Sequence, residues 1–209
     1  MKLYITPGSP YARMAWIVVL EKGLEKRVEI LTAQTRVADS PYYRINPSGR
    51  VPYLVCENGV GLEESALIWD YLDQLDGKPV LGMPEGTQRW EARRLEGLAR
   101  SLLDGVAVWG RELVRPENER SPTVILHETH RSERLTDVWE TEIDHPLMHG
   151  ALNRMQVTLA CALGFEVRIP GFRWRAGHPR LSAWFQRIAA RPSFAATAPP
   201  KTTSGAVTR

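Results

Sequence analysis

A serine–proline pair directly after a short predicted strand is the first position where this sequence could carry out chemistry. Ser9 and Pro10 form the pair, and Tyr11 and Ala12 follow. Serine is favoured immediately before a helix, and proline suits the first helical position because its missing N–H costs nothing there. The free N–H groups and the dipole at a helix start attract anions, so Ser9 could donate a hydrogen bond to a thiolate. Taken alone, a serine that only caps the helix is the commoner interpretation.

Val51 and Pro52 are the second candidate pair, since they stand directly before a predicted strand. A cis proline at this point would turn the backbone of Val51 outward, where its N–H and C=O could pair with a peptide laid along the sheet edge. An ordinary trans proline at the start of a strand is the alternative. The sequence alone does not separate the two.

Glu64 and Ser65 open a predicted helix and form the third candidate pair. Ser65 would present its hydroxyl and its backbone N–H to a carboxylate at the helix N-terminus. Glu64 supplies a negative charge for an ammonium group, so the pair suits the amino-acid end of a γ-glutamyl group. The alternative is a helix cap with a favourable N-terminal acid.

The elements that must position these pairs follow a thioredoxin-like order. Alternating residues at 2–6 and 27–31 predict two strands, and the apolar segment between them predicts a buried helix in a parallel β-α-β unit. An Asn-Gly pair at 58–59 predicts a hairpin, and a helix follows from Glu64. The fold class predicted for residues 1–76 is therefore an α/β thioredoxin-like domain, with all three pairs at one sheet edge. The stripe of the last helix is predicted to be Leu67, Ile68, Tyr71 and Leu72.

Beyond a linker predicted at 77–85, the strand signals vanish. Helical periodicity predicts an all-α domain over residues 86–200, with one long helix at 87–114. Asn153 is predicted to cap a later helix of this domain. The small polar residues of 201–209 predict a loose tail.

Several motifs of this chain resemble those of the glutathione transferase superfamily, in its bacterial branch. The resembling segments are KLYITPGSPY at 2–11, LEKGL at 20–24, NPSGRVP at 46–52, LEESALI at 62–68, HPRLSAW at 178–184 and ARPSF at 190–194. Together they reach from residue 1 to about residue 200, and their joint match is far more specific than any one motif. One departure is Asn153, because the family usually has serine or threonine there.

The resemblance implies a role for each candidate residue. Val51, beside Pro52, would pair with the cysteinyl backbone of glutathione. Glu64 and Ser65 would hold the γ-glutamyl group, and Ser9 would occupy the thiol-activating position. The resemblance also implies a homodimer joined across the long helices of the second domain.

A small apolar electrophile is the expected second substrate, which the glutathione thiolate would attack. Tyr11 and Trp109 are candidates to line its pocket, although core packing explains the tryptophan equally well. A non-catalytic interaction module with the same fold is one alternative function. A glutathione-dependent thiol transferase or peroxidase is another, which Ser9 makes less favourable because a cysteine is absent there.

The composition is that of an ordinary globular protein and argues against several classes. The 209 residues include 27 basic and 24 acidic side chains, and no block concentrates the net charge of +3, so we expect no nucleic acid partner. No apolar run approaches the ~20 residues of a membrane span, and no signal peptide is recognised, so we expect a cytoplasmic protein without a membrane partner. Cys56 and Cys161 are expected to be reduced and buried. No metal is expected, because no cluster has metal-ligand spacing.

Overall fold

A mixed four-stranded sheet with two α-helices forms the first part of the described chain, and helices form the second part. The structure is a computed structural model that describes residues 1–200, so the tail predicted at 201–209 lies outside the described residues. The strand order is β2-β1-β3-β4, with β1 at Lys2–Ile5, β2 at Glu29–Thr32, β3 at Tyr53–Val55 and β4 at Gly61–Glu63. β1 and β2 are parallel, and β3 is antiparallel to both β1 and β4. The predicted thioredoxin-like fold class is confirmed.

The helix between β1 and β2 is buried on almost every side. This helix, α1, spans Pro10–Glu21 and is capped by Ser9, whose Oγ accepts a hydrogen bond from the N–H of Ala12 at 3.2 Å. It packs against β1, against α2 at Ser65–Gln74 and against α5 at Arg154–Leu163. Elements of both parts of the chain contact α1 and cover most of its surface. A helix in this position must therefore be apolar on nearly every side.

Two local predictions about the first part of the chain differ from the structure. β2 begins at Glu29 rather than at residue 27, because the chain still turns at Val28, whose N–H donates to the carbonyl of Leu24. On α2, Leu67 is 50% exposed whereas Trp69 is fully buried. The buried face of α2 starts at its first residue, and the other buried residues follow at spacings of three and four along the helix. This spacing places Trp69 on the buried face and leaves Leu67 outside it.

Five α-helices form the second part of the described chain. They are α3 (Arg89–Leu113), α4 (Pro122–Glu142), α5, α6 (Pro179–Ala189) and α7 (Pro192–Ala196). All ten residues of α5 are buried, and this helix packs against α1, α3 and α6. Asn153 caps α5 as predicted, since its Oδ1 accepts a hydrogen bond from the Gln156 N–H at 3.0 Å. No helix within residues 1–200 is long and apolar enough to cross a membrane.

The segment predicted as a linker, 77–85, contains no helix or strand, and it is docked on α2. The indole Nε1 of Trp69 donates to the carbonyl of Leu81 at 3.1 Å. The carboxylate of Asp73 accepts hydrogen bonds from the N–H groups of Val80 and Leu81. These contacts fix the path of the chain between the sheet and α3.

The last described residues close back on α1 through polar contacts. Glu21, at the end of α1, accepts two hydrogen bonds from the guanidinium of Arg191, at 3.0 and 2.6 Å, and one from the hydroxyl of Ser193 at 2.5 Å. Near the start of the same helix, the buried Arg13 donates to the carbonyl of Phe194 at 2.9 Å. The Arg191 hydrogen bonds are the main reason that the pKa of Glu21 lies below its usual range.

Glu21→Gln should lower the free energy of unfolding by about 1–2 kcal/mol at neutral pH, because it removes the charge from a bidentate pair. The pKa of Glu21 is lower in the folded protein than its unfolded value of 4.5. Its contribution is therefore complete above that value and disappears as the pH falls through the folded-state pKa. Urea denaturation should show a difference between wild type and variant at pH 7 that shrinks in acid.

Glu25→Gln is the matched control, because Glu25 is exposed and has no ion pair among the described residues. This substitution should change the free energy of unfolding by less than about 0.5 kcal/mol. Equal losses in the two variants, or a Glu21→Gln loss that persists in acid, would contradict the role assigned to Glu21.

Two glycines of α3 should respond in opposite directions to substitution by alanine. A Cβ at Gly110 would lie 2.6 Å from the ring of Phe165, whereas a Cβ at Gly97 would have no atom within 4 Å. Gly97→Ala should stabilise the protein by up to about 1 kcal/mol through helix propensity. Gly110→Ala should destabilise it by about 1–3 kcal/mol because the Phe165 ring must move. Urea denaturation measures both changes, and a stabilised Gly110→Ala would show that α3 and Phe165 do not pack this closely.

Candidate functional site

A cleft of about 1200 Å³ lies between one edge of the sheet domain and a face of α3. Its walls come from the start of α1, the loop before β3, the start of α2, the second half of α3 and the short 3-10 helix at Gly164–Arg168. Each of the five residues predicted to bind glutathione lines this cleft, and so does Tyr11; the five are Ser9, Val51, Pro52, Glu64 and Ser65. Residues from positions 9 to 65 of the sequence are therefore brought together around one opening.

Ser9 lies at the N-terminus of α1, where its side chain is partly buried. The hydrogen bond from the Ala12 N–H uses a lone pair of the Ser9 oxygen and leaves its proton free. The O–H can therefore donate to a ligand in the cleft while the oxygen continues to cap the helix. The sequence left open whether Ser9 caps the helix or donates to a thiolate, and this geometry allows both.

The peptide bond between Val51 and Pro52 is cis. The carbonyl of Arg50, just before it, accepts hydrogen bonds from the hydroxyl of Tyr42 at 2.5 Å and from the side-chain amide of Asn46 at 3.0 Å. The backbone N–H and C=O of Val51 have no hydrogen-bond partner among residues 1–200. Both groups remain available to a peptide that lies along this edge.

Glu64 and Ser65 form the start of α2. Glu64 has a φ of 84°, which is uncommon for a residue other than glycine, and its exposed carboxylate lies 3.5 Å from the N–H of Ala66. Ser65 is only 1% exposed, and its Oγ accepts a hydrogen bond from the guanidinium of Arg100 at 3.0 Å. The Ser65 proton is left free, so this hydroxyl can still donate.

Arg100 is a site residue that the sequence analysis did not identify. It lies on α3, lines the same cleft and keeps its second amino group 3.6 Å from the carboxylate of Glu96. Its guanidinium carbon is 5.7 Å from the centroid of the Tyr11 ring. A cation therefore stands directly beside the Ser65 hydroxyl, which strengthens that end of the cleft as a site for a carboxylate.

Tyr11 lines the cleft, and its hydroxyl donates to the carboxylate of Asp104 at 2.5 Å. Burial of the phenol is the main reason that its pKa lies well above the usual range, and the hydrogen bond to Asp104 adds to this effect. Tyr11 therefore stays protonated at neutral pH. Its proton is already donated to Asp104, so it is a weak candidate for hydrogen bonding to a thiolate.

Trp109 does not line the cleft, which corrects the expectation that it would border a second-substrate pocket. Its ring is 4% exposed and packs against Phe172, with 6.2 Å between the ring centroids. Ala107, two residues earlier on α3, does line the cleft, and helix positions two apart point in different directions. Tyr4 packs against Tyr42, with centroids 5.5 Å apart, and likewise has a packing role.

The lining of the cleft carries more positive charge than a site for an apolar substrate would be expected to carry. Five arginines and three acidic residues line it, namely Arg36, Arg50, Arg100, Arg111 and Arg168 with Glu63, Glu64 and Asp104. The spacing of the residues on α3 could have indicated this surface from the sequence. Positions 100, 104, 107 and 111 are three or four residues apart and therefore share one helix face.

Two cysteines and the side chains that commonly bind metals were the other possible reactive groups within residues 1–200. In that range no group of three or more His, Cys, Asp and Glu side chains is placed to hold a metal ion. Cys56 and Cys161 are both free and buried. Burial raises the pKa of the Cys161 thiol to about 11, which keeps it protonated at neutral pH.

Known proteins similar to this chain share one family. Residues 3–80 match the family model of the glutathione S-transferase N-terminal domain. The uncharacterized GST-like protein YibF of Escherichia coli K12 is 31% identical over 205 residues, which cover 96% of this chain and 100% of YibF.

Two crystal structures of a glutathione transferase family member from Pseudomonas fluorescens Pf-5 are also similar. The structure with bound glutathione is 32% identical, has a TM-score of 0.84, and the match covers 95% of this chain and 98% of that one. The structure with bound S-(propanoic acid)-glutathione is 34% identical, has a TM-score of 0.81, and the match covers 96% and 100%. The nearly full-length match to these relatives shows that this chain belongs to the glutathione transferase superfamily.

Proposed function

We propose that the protein is a glutathione-dependent transferase that joins the glutathione thiolate to a small electrophile. One observation carries the proposal: the cleft brings the free O–H of Ser9, the unpaired backbone of Val51 and the Glu64–Ser65 helix start to the same opening. These groups match the thiol, the cysteinyl backbone and the γ-glutamyl end of one tripeptide.

The γ-glutamyl group has the most complete set of complementary partners. Its carboxylate would accept hydrogen bonds from the N–H and O–H of Ser65, with Arg100 providing the adjacent positive charge. Its ammonium would lie near the exposed carboxylate of Glu64. The backbone groups of Val51 would pair with the cysteinyl residue as an additional strand does.

The thiol would then lie at the N-terminus of α1. The helix dipole and the Ser9 O–H both favour the thiolate over the thiol, so the thiol pKa should fall below the ~8.5 of a free cysteine. The thiolate would attack the electrophilic carbon and form a carbon–sulfur bond. Ala107, Val114 and Phe165 would provide apolar contacts for the body of a small electrophile.

The relatives support the proposal. The Pseudomonas fluorescens family member binds glutathione, and in its other structure it binds glutathione whose sulfur carries a propanoic acid group. By analogy, the same pocket in this chain would hold both the co-substrate and a product of sulfur conjugation.

Replacing Glu64 and Ser65 together by alanine should abolish saturable binding of reduced glutathione in a calorimetric titration. Loss of charge-assisted hydrogen bonds is worth roughly 1.5–3 kcal/mol each, which corresponds to about 10- to 100-fold in affinity. Ser101→Ala combined with Glu133→Ala is the matched control, because both residues are exposed and lie outside the cleft. If the wild type does not bind glutathione, the transferase proposal fails and a non-catalytic interaction module becomes the better explanation.

Ser9→Ala should reduce turnover by ~10- to 1000-fold and move the rising limb of the pH–rate profile to higher pH, because the thiolate loses one donor. The same substitution also removes a helix cap, which costs about 1 kcal/mol of stability. Ser121→Ala separates the two effects, since Ser121 caps α4 before a proline in the same way, with its Oγ 3.3 Å from the Val124 N–H.

Ser121→Ala should match the stability loss of Ser9→Ala and leave turnover and its pH profile unchanged. The ultraviolet absorbance of the bound thiolate, followed against pH, measures the thiol pKa directly in each variant. Turnover and thiolate pKa that are unaffected by Ser9→Ala would move the activating role to another group.

A further inference from the structure

We infer that the second substrate carries a carboxylate group and that Arg111 binds it. This inference rests on the proposed function and adds the chemical class of the electrophile. The residues proposed for glutathione line one half of the cleft, and we call the other half the acceptor half. The acceptor half is lined by Tyr11, by the face of α3 from Asp104 to Arg111, by Val114 just after this helix, and by Phe165 and Arg168. It adjoins Ser9 through Tyr11, so a molecule bound there would face the thiol.

Arg111 has unused hydrogen-bonding capacity in the acceptor half. Its Nε donates to the carbonyl of Ala107 one turn earlier at 3.1 Å, which orients the guanidinium and leaves its two terminal amino groups free. No carboxylate among residues 1–200 forms an ion pair with Arg111, although most arginines of α3 have such a partner. A guanidinium with two free amino groups matches a carboxylate in a bidentate arrangement.

No ion pair joins Arg111 to Asp104, the acid of the acceptor half. Asp104 accepts its hydrogen bond from Tyr11 instead, and Tyr11 itself stays uncharged. Burial and Asp104 raise the pKa of Tyr11, and the positive charges of Arg100 and Arg111 oppose this rise only in part. Arg168 also lines the acceptor half, where its guanidinium carbon lies 5.9 Å from the centroid of the Phe165 ring.

The remaining lining of the acceptor half is apolar. Ala107, Val114 and Phe165 offer hydrocarbon surface beside the guanidinium of Arg111. The complementary molecule is therefore a small apolar body with an anionic group at one end and a reactive carbon directed toward Ser9. A carboxylate fits this description, and it need not take part in the bond-forming step.

Chloroacetate is the simplest probe of this class, and chloroacetamide is its uncharged counterpart of nearly the same shape. With either compound the glutathione sulfur forms a bond to the methylene carbon, while the carbon–chlorine bond breaks and chloride leaves with the electron pair. The products are S-carboxymethylglutathione and S-carboxamidomethylglutathione. These products also report binding in the absence of any turnover.

The test compares the affinities of the two products for the wild type and for Arg111→Gln by calorimetry. The wild type should bind the carboxylate product about 10-fold more tightly than the amide product, as expected for one charge-assisted pair at a partly screened site. Arg111→Gln should abolish this preference by weakening the carboxylate product alone. Increasing the salt concentration should reduce the preference in the wild type, since exposed charges are screened.

Two further variants separate charge from position. Arg134→Gln removes an exposed arginine of α4 that does not line the cleft, and it should leave the preference unchanged. Arg111→Lys keeps the charge without the fork of donors, and it should keep part of the preference. Rates with chloroacetate and chloroacetamide, each divided by its uncatalysed rate, should follow the same order.

Equal affinity of the wild type for the two products would overturn the inference and leave the proposed function in place. An equal loss for both products in Arg111→Gln would also overturn it, because Arg111 would then serve glutathione itself. If neither product binds and reduced glutathione does not bind either, the proposed function fails and this inference fails with it.

Discussion

The burial of α1 is the constraint on which the rest of the structure depends. This helix packs against β1, α2, α5 and α7, so both parts of the chain must close around it. Its sides are apolar, and its polar contacts are concentrated near its ends. The C-terminal end binds the last described residues through Glu21, and the N-terminal end opens into the cleft at Ser9. The same helix therefore joins the two parts of the protein and presents its anion-attracting end to a ligand.

Two serines in the cleft have oxygens already held by the protein and protons that are free. The oxygen of Ser9 accepts from the Ala12 N–H, and the oxygen of Ser65 accepts from Arg100. Holding the oxygen in place before the ligand arrives reduces the ordering cost of binding, so such donors are more effective than freely rotating hydroxyls. The contact between Ser65 and Arg100 also joins the start of α2 to α3, and a ligand carboxylate there would contact both parts of the protein.

One face of α3 contributes charged side chains to the cleft, while other faces of this helix build the core. Arg100, Asp104 and Arg111 line the opening, whereas Leu102 and Trp109 are buried. A surface lined by arginines beside apolar side chains favours molecules that are partly hydrophobic and partly anionic. Glutathione is itself an anionic peptide, so the arginines on this face of α3 suit the proposed co-substrate as well as the proposed acceptor.

The sequence by itself determined the local features of this protein. Caps at Ser9 and Asn153, the hairpin at 58–59 and the apolar character of α1 act within a few residues, so the chain needs no distant contact to specify them. The candidate residues of the sheet domain could also be predicted from the sequence, because they lie at the ends of helices and strands that local signals define. Only the tertiary structure decided what faces those residues, because periodicity marks a helix face without saying which surface will cover it. Ser65 meets Arg100 across 35 positions of sequence, and Trp109 is buried while Arg111 lines the cleft, because the packing of α3 against α4 and α5 sets its rotation.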